Sequence, residues 1–376
     1  MRRHDLKLSV LDVGIIRSNQ SASDAFSSMI SLARHAETHG YHRYWLGEHH
    51  NVAAVVASQT AVFAAAVGAQ TSRIRIGGCV LLPHYSPLVI AEQMSTLEAC
   101  YPGRVDLGLG RSSGADRITS KLLREDRKEG LASQSYAQSV QRLLAMLRPG
   151  GVSLQVNSHD YTLRATSNST SAPALWVLST SSHSAELAAE LGLPYAFGYH
   201  ILGDGMKGAI NLYRSKFKPS ALCPEPRVLI SAIVVLGETS EEAELLSIPQ
   251  LLGMCAFRSG EPVSPQLLVE QAVTVTVPQR YVPLVEMFKK TWIIGSPRQA
   301  ADEIERLVTL LEIDEIMINP VAASYTPDAP SRATNRERTL TLLAEVFPPN
   351  TAAREFETRA DGARTKLHST YLPIES

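Results

Sequence analysis

Residues 74–114 read IRIGGCVLLPHYSPLVIAEQMSTLEACYPGRVDLGLGRSSG. Ile74–Leu82 is a short apolar run of the kind that forms a buried strand. Pro87, pre-set for the first helical position, opens a helix that runs to Cys100. Arg104–Leu109 is a second strand. Strand, helix and strand in one direction predict parallel strands joined by a crossover helix.

The unit repeats in both directions. Upstream lie a strand at Leu6–Val13 and a helix capped by Ser21 or Asp24 and closed by Gly40. A strand at Tyr41–Gly47 and a helix at Ser58–Thr71 come next. Downstream come a helix near Gln134–Leu147, a strand at Ala174–Leu178, and a helix at Ser184–Leu191. Then come a strand at Tyr195–Gly198, a helix near Gly205–Phe217, a strand at Arg227–Leu236 and a helix from about Thr239. A strand at Glu315–Asn319 and a helix near Asn335–Val346 complete the series. Eight such units predict an α/β fold, a (β/α)8 TIM barrel, over an open sheet.

Two stretches break the rhythm. Residues 149–172, between strands four and five, are rich in Ser, Asn, Thr and Gly and can hold a hairpin (Val152–Val156, Tyr161–Ala165). Residues 249–295, before strand eight, carry several prolines among many apolar residues. Ser296-Pro-Arg-Gln299 then starts a helix, with Ser as N-cap and Pro at the first position. The expected organisation is one barrel domain over residues 1–349 and a polar, aperiodic tail at 350–376.

Composition excludes several functions. Of 376 residues, 36 are Lys or Arg and 37 Asp or Glu, so no basic surface points to nucleic acid. Hydrophobic residues make up 44%, ordinary for a globular chain. Cys79, Cys100, Cys223 and Cys255 show no CxxC spacing, which fits a reducing compartment and no zinc cluster. The N-terminus has basic residues without the apolar run of a signal peptide, and no stretch is long enough to span a bilayer. A cytoplasmic protein without membrane contact is expected.

In a barrel of this kind the active site lies at the C-terminal ends of the strands. Strand one ends at Asp12, strand two at Glu48-His49-His50, strand three at Gly78-Cys79, strand four at Gly110-Arg111, strand five at Thr180–Ser184 and strand six at Tyr199-His200. Thr180, Ser181, Ser182, His183 and Ser184 open a helix, where free N–H groups and hydroxyls suit a phosphate; an ordinary Ser-rich N-cap is the alternative. At Gly110 the backbone can approach a planar ligand, and Arg111 can supply a fixed positive charge or simply face solvent. His49 and His50, adjacent on a strand, face opposite ways, so a shared metal is disfavoured. His49 suits proton transfer near neutral pH, and His50 a structural role. Cys79 has no neighbouring base and reads as a small apolar residue.

Taken together, Ala36–Asn51 (AETHGYHRYWLGEHHN), Ile74–Gly114, Ala174–His200 and the turn Ile294–Pro297 resemble the bacterial-luciferase-like flavin-dependent monooxygenases. The resemblance covers most of residues 6–347 and implies a (β/α)8 barrel with an insertion before the last strand. It implies reduced FMN, or in a sister branch a deazaflavin, and O2 as co-substrate through a C4a-peroxide. A separate NAD(P)H:flavin reductase would supply the reduced FMN, and a homodimer would form through early helices. The family's catalytic histidine falls on His49, and its non-proline cis peptide under the flavin falls on Gly78-Cys79. Gly110 and Arg111 fall beside the isoalloxazine and phosphate, and Thr180–Ser184 on the phosphate turn. Many relatives clamp phosphate with an arginine near the helix after strand four; here Gln134 or Tyr136 would substitute. Strand five ends in Thr180 where luciferase has a carboxylate, so light emission does not follow.

The expected activity is a two-component FMN monooxygenase acting on a small organic substrate, such as an aromatic polyketide of antibiotic biosynthesis. Asp12, Tyr199 and His200 would shape the substrate. Deazaflavin-dependent hydride transfer, a non-catalytic flavin-binding barrel and a metal hydrolase are the alternatives.

Overall fold

The β-branched and leucine-rich runs become parallel strands because both of their faces are buried. The outer face packs against helices, and the inner face against the barrel's own interior. The computed structural model describes residues 6–112, 114–124, 135–148, 150–167, 169, 171–200 and 205–349. The 350–376 tail and Gln134 therefore lie outside the described residues.

The strands are β1 (Lys7–Asp12), β2 (Arg43–Leu46), β3 (Arg75–Leu81), β4 (Val105–Gly110), β5 (Val152–Val156), β6 (His159–Leu163), β7 (Ala174–Ser179), β8 (Tyr195–Phe197), β9 (Val228–Leu236), β10 (Ile293–Gly295) and β11 (Glu315–Pro320). The helices are α1 (Ala22–Thr38), α2 (Thr60–Ala69), α3 (Pro87–Cys100), α4 (Arg117–Leu122), α5 (Tyr136–Met146), α6 (Ser182–Glu190), α7 (Met206–Lys216), α8 (Ser240–Arg258), α9 (Val269–Ala272), α10 (Val282–Thr291), α11 (Pro297–Leu311) and α12 (Thr334–Val346).

Strands pair in the order β9-β11-β1-β2-β3-β4-β7-β8, and β8 pairs back onto β9, closing an eight-stranded parallel barrel. The eight strands read from the sequence are these eight. β10 adds to the β9 edge in parallel register, Ile293 opposite Val234, and has no counterpart in the sequence reading. The hairpin between β4 and β7 is present, with its second strand two residues earlier than expected.

One boundary moves. The sequence reading opens the irregular stretch at Pro249, a residue that removes a helix donor. Instead α8 runs through it to Arg258. Pro249 sits on the buried side of α8, and Leu246, Leu251 and Cys255 anchor the helix in a second apolar cluster with Tyr281, Phe288 and Trp292. The irregular stretch thus begins about ten residues later than residue 249.

Strand alternation puts Leu11, Trp45, Cys79, Trp176, Ala196, Leu229 and Met317 inside the barrel, where they form their own cluster. Below it, at the N-terminal end of the strands, lies Arg43. Its guanidinium donates to Glu315 at 2.5 Å and to Asp106 at 2.6 Å, with all three side chains at most 2% exposed. Arg75 adds a 2.8 Å pair to Asp106, and Ser9 donates to Glu315 at 2.6 Å. Burial alone would disfavour each charge. The facing charges outweigh it, holding Arg43 more firmly protonated and both carboxyls below their usual range.

β3 is squeezed between its neighbours. A Cβ at Gly77 would lie 1.9 Å from the Asp106 carbonyl oxygen, and one at Gly78 2.2 Å from that of Leu46. Their φ values of 154° and 157° are also ones that side chains rarely adopt. No cis peptide bond occurs among the described residues, which corrects the expectation for Gly78-Cys79. The strand keeps unbroken parallel register through that link, Gly78 opposite Leu107 and Cys79 opposite Gly108.

Candidate active site

The C-terminal mouth of the barrel gathers the strand ends. At β2, Glu48 is buried and spends both oxygens. Oε1 accepts from His50 Nε2 and from the Tyr85 hydroxyl, each at 2.8 Å; Oε2 accepts from the Leu81 N–H at 3.1 Å. One carboxylate therefore ties the His-bearing loop to the end of β3. Burial first, then Glu48, pushes the Tyr85 phenol up. His50 also meets His84 edge to face, ring centroids 5.8 Å apart. His50 is thus a structural residue, and it and His49 lie in the loop beyond β2, not on the strand as expected.

His49 lies between these anchors. Its backbone N–H donates to Ala57 O at 2.9 Å, but its Nδ1 is buried with no hydrogen-bond partner. Burial and then the neighbouring His50 lower its pKa, so the ring is neutral at neutral pH. A buried ring nitrogen without a partner is a costly arrangement that a bound group can relieve.

Cys79 is 7% exposed, and burial followed by Glu48 pushes its thiol up to about 12. It is a thiol at neutral pH, and its carbonyl accepts from Thr60 Oγ1 at 2.7 Å. At β4, a Cβ on Gly110 would crowd Leu81 at 3.0 Å. Arg111 beyond it is exposed, and its charge reaches the Tyr136 phenol. Tyr136 donates to Leu109 O at 2.9 Å, which brings its side chain to the end of β4.

The β7–α6 turn follows from its serines. Ser179 Oγ accepts from the Ser181 N–H at 3.0 Å, and Ser181 caps α6 by accepting from the Ser184 N–H at 3.3 Å. Ser181, Ser182 and His183 are exposed while Ser184 is buried. The Ser182 and His183 N–H groups, in the first turn, have no intrahelical acceptor. That is an open anion seat beside Arg111's strand, since β4 and β7 are neighbours.

Tyr199 is buried beyond β8. His200 Nδ1 lies 2.5 Å from Ser231 Oγ, and its N–H donates to Ser231 O at 2.9 Å. Burial and then His49 depress His200 to about 4, which places the two imidazoles within electrostatic reach. Asp12 departs from expectation. Its carboxylate, wholly buried, pairs with Arg336 and accepts from Tyr44 Oη and the Gly14 N–H. Every acceptor is committed to the scaffold, so the role of Asp12 in substrate contact is corrected to one of joining β1 to α12.

Three site residues escaped the sequence reading: Glu48 as an anchor, Ser231 as the partner of His200, and Asn319. Asn319 shares the inward side of β11 with Glu315 and Met317, is 4% exposed, and carries a buried Oδ1 without a partner. A polar residue ending the last strand was the available signal. Among the described residues no group of three or more metal-ligating side chains occurs, and no helix is long and apolar enough to cross a membrane.

Residues 7–311 match the model of a family described as luciferase-like monooxygenase. A luciferase-like monooxygenase of Escherichia coli (strain K12) is 33% identical over 315 residues, covering 84% of this chain and 91% of that one. The uncharacterized protein YvbT of Bacillus subtilis (strain 168) is 33% identical over 347 residues, 92% and 98% of the two chains. Among solved structures, apo-MsnO8 superposes with a TM-score of 0.79 at 30% identity, covering 92% of this chain and 98% of that one. Two more distant structures share the fold. The oxygenating component of 3,6-diketocamphane monooxygenase of Pseudomonas putida, a type II Baeyer-Villiger monooxygenase in complex with FMN, has a TM-score of 0.65 at 17% identity, covering 92% and 98%. An F420-dependent secondary alcohol dehydrogenase has a TM-score of 0.59 at 14%, covering 90% and 99%.

Proposed function

Because this chain belongs to the luciferase-like monooxygenase family, we propose that it is a flavin-dependent monooxygenase using reduced FMN and O2 to oxygenate a small organic substrate. The carrying observation is the pairing of an open helix N-terminus at Ser182–His183 with a buried, partnerless His49 Nδ1 at the same barrel mouth. The first suits a phosphate, the second a polar ring edge. These residues fit FMN.

When bound, reduced FMN with O2 supplies the oxidising equivalent. The protein's share is binding, orientation and proton handling. The N–H groups of Ser182 and His183, with Arg111, hold the phosphate, and Thr180, Ser181, Ser184 and Tyr136 shape the seat around it. Gly110 lets β4 come close to the ring, and Gly78-Cys79 forms the wall beneath it. His49, neutral and largely shielded from water, accepts or returns a proton at Nδ1. Its neutral state at neutral pH suits a base. Tyr199 and His200 line the substrate side. A separate NAD(P)H:flavin reductase would feed the enzyme, and a homodimer is the expected assembly. The substrate class includes secondary metabolites such as aromatic polyketides.

The test is anaerobic titration with reduced FMN and reduced F420, followed by O2, in wild type and His49→Ala. The proposal expects FMN to bind more tightly than F420, and His49→Ala to keep FMN affinity within about threefold while oxygenation is lost. Tighter F420 binding with no oxygen uptake favours hydride transfer instead, which the F420-dependent structural neighbour keeps in view. Unchanged oxygenation in His49→Ala would remove that residue from the chemistry.

A further inference from the structure

Two neighbouring positions in the ring, β4 and β7, carry the phosphate seat, and β3 and β2 carry Gly78-Cys79 and His49. Going round the barrel, β11 stands four strands from β4, on the opposite wall. If FMN occupies the first side, as proposed above, the wall formed by β8, β9 and β11 is left for substrate.

That wall has a consistent chemistry. Asn319 presents a buried Oδ1 with nothing to accept from. Next to β11, β9 carries Ser231, which engages His200 through Nδ1. Below both lies an apolar floor of Trp176, Leu229 and Met317. The stranded acceptor gives Asn319 no scaffold role that would explain it. A leucine of similar size would fill the same space without that cost, since an unmet buried polar group is destabilising. Such a residue persists where a ligand completes it.

We propose that the β8–β9–β11 wall is a substrate-recognition surface that reads a hydrogen-bond donor, with Asn319 Oδ1 receiving a hydroxyl or N–H carried on an apolar, ring-sized skeleton. Asn319 is the specificity determinant, and Ser231 on the neighbouring strand holds His200 in place. An analogue with the donor methylated leaves Oδ1 unmet and is rejected.

The test uses 1-naphthol and 1-methoxynaphthalene as matched probes, with binding read by quenching of tryptophan fluorescence in wild type, Asn319→Leu and Asn319→Ser. Wild type should favour the naphthol by roughly tenfold, the size of one neutral hydrogen bond, and both variants should bring that ratio to about one. Unliganded Asn319→Leu should unfold at a temperature no lower than wild type. FMN affinity should be unchanged in both variants. Equal binding of the two probes by wild type overturns the proposal. So does a matching loss of FMN affinity in the two variants, which would give Asn319 to the flavin. So does a fall of several degrees in Asn319→Leu together with a retained preference in Asn319→Ser. A wild type that binds neither flavin would refute the flavin reading, while the naphthol comparison would still decide the role of Asn319.

Discussion

Replacing Glu48 by glutamine isolates the anchor under His49. The carboxylate accepts three hydrogen bonds, two at Oε1 from His50 and Tyr85 and one at Oε2 from the Leu81 N–H. Glutamine can keep its carbonyl oxygen toward His50 and Tyr85, but its NH2 then faces the Leu81 N–H, donor against donor. The flipped amide keeps the Leu81 bond but turns its NH2 to His50 and Tyr85, which must then switch from donating to accepting. Hydrogen bonds to a charged group contribute about 1.5–3 kcal/mol each, and a buried donor left unmet costs a comparable amount. The expected destabilisation is therefore about 2–4 kcal/mol. Urea unfolding with an unchanged m-value measures it. Tyr85→Phe removes one acceptance and should cost about 1 kcal/mol, with the double variant less destabilised than the sum. FMN affinity should fall in Glu48→Gln as the His49 loop loosens. A loss of stability below about 0.5 kcal/mol would refute the assignment of Glu48 as the anchor.

Two other perturbations concern the lower barrel and its tightest strand. Arg43→Met strands Glu315, leaves Asp106 with Arg75 alone, and should cost about 3–5 kcal/mol at neutral pH. Both carboxyls sit below their unfolded values in the native protein, so the stability they confer is present above about pH 4 and lost as pH falls through their depressed values. In Arg43→Met Glu315 is buried without a cation and Asp106 keeps Arg75 alone, so Glu315 protonates readily and the gap to wild type should narrow on acidification; a gap constant from about pH 7 to about pH 4 would count against the network. Gly78→Ala places a Cβ 2.2 Å from Leu46 O, inside a register that cannot shift, and should prevent folding or cost several kcal/mol. A soluble variant with wild-type thermal stability would show that the strand can yield.

The sequence carried most of the fold because the signals were local. Ser296-Pro-Arg-Gln299 caps α11 as read, with Ser296 and Gln299 forming the reciprocal pair, and Ser21 does the same for α1 with Asp24. Pro249 misled because helix continuation depends on what α8 packs against, and that partner, the cluster around Tyr281 and Trp292, lies far along the chain. Asp12 misled for a related reason. A carboxylate at a strand end looks like a site residue until Arg336 is found facing it across a sequence separation of 324. His49 was legible from the run Glu48-His49-His50 together with its position at a strand end. Its stranded Nδ1 was not, since an absent partner is a three-dimensional fact. Asn319 fell between these cases, visible as a residue type and silent as to its surroundings.

The charged floor also governs traffic. Arg43 lies 4.9 Å over the Trp176 ring and 5.9 Å from that of Trp45, and these side chains are 2% exposed or less. Cation and indoles together fill the lower end of the barrel among the described residues. On the function proposed above, cofactor and substrate would then share the C-terminal rim. A flavin seated deep against β3 would leave after the product, so the order of departure would follow from the closed lower end.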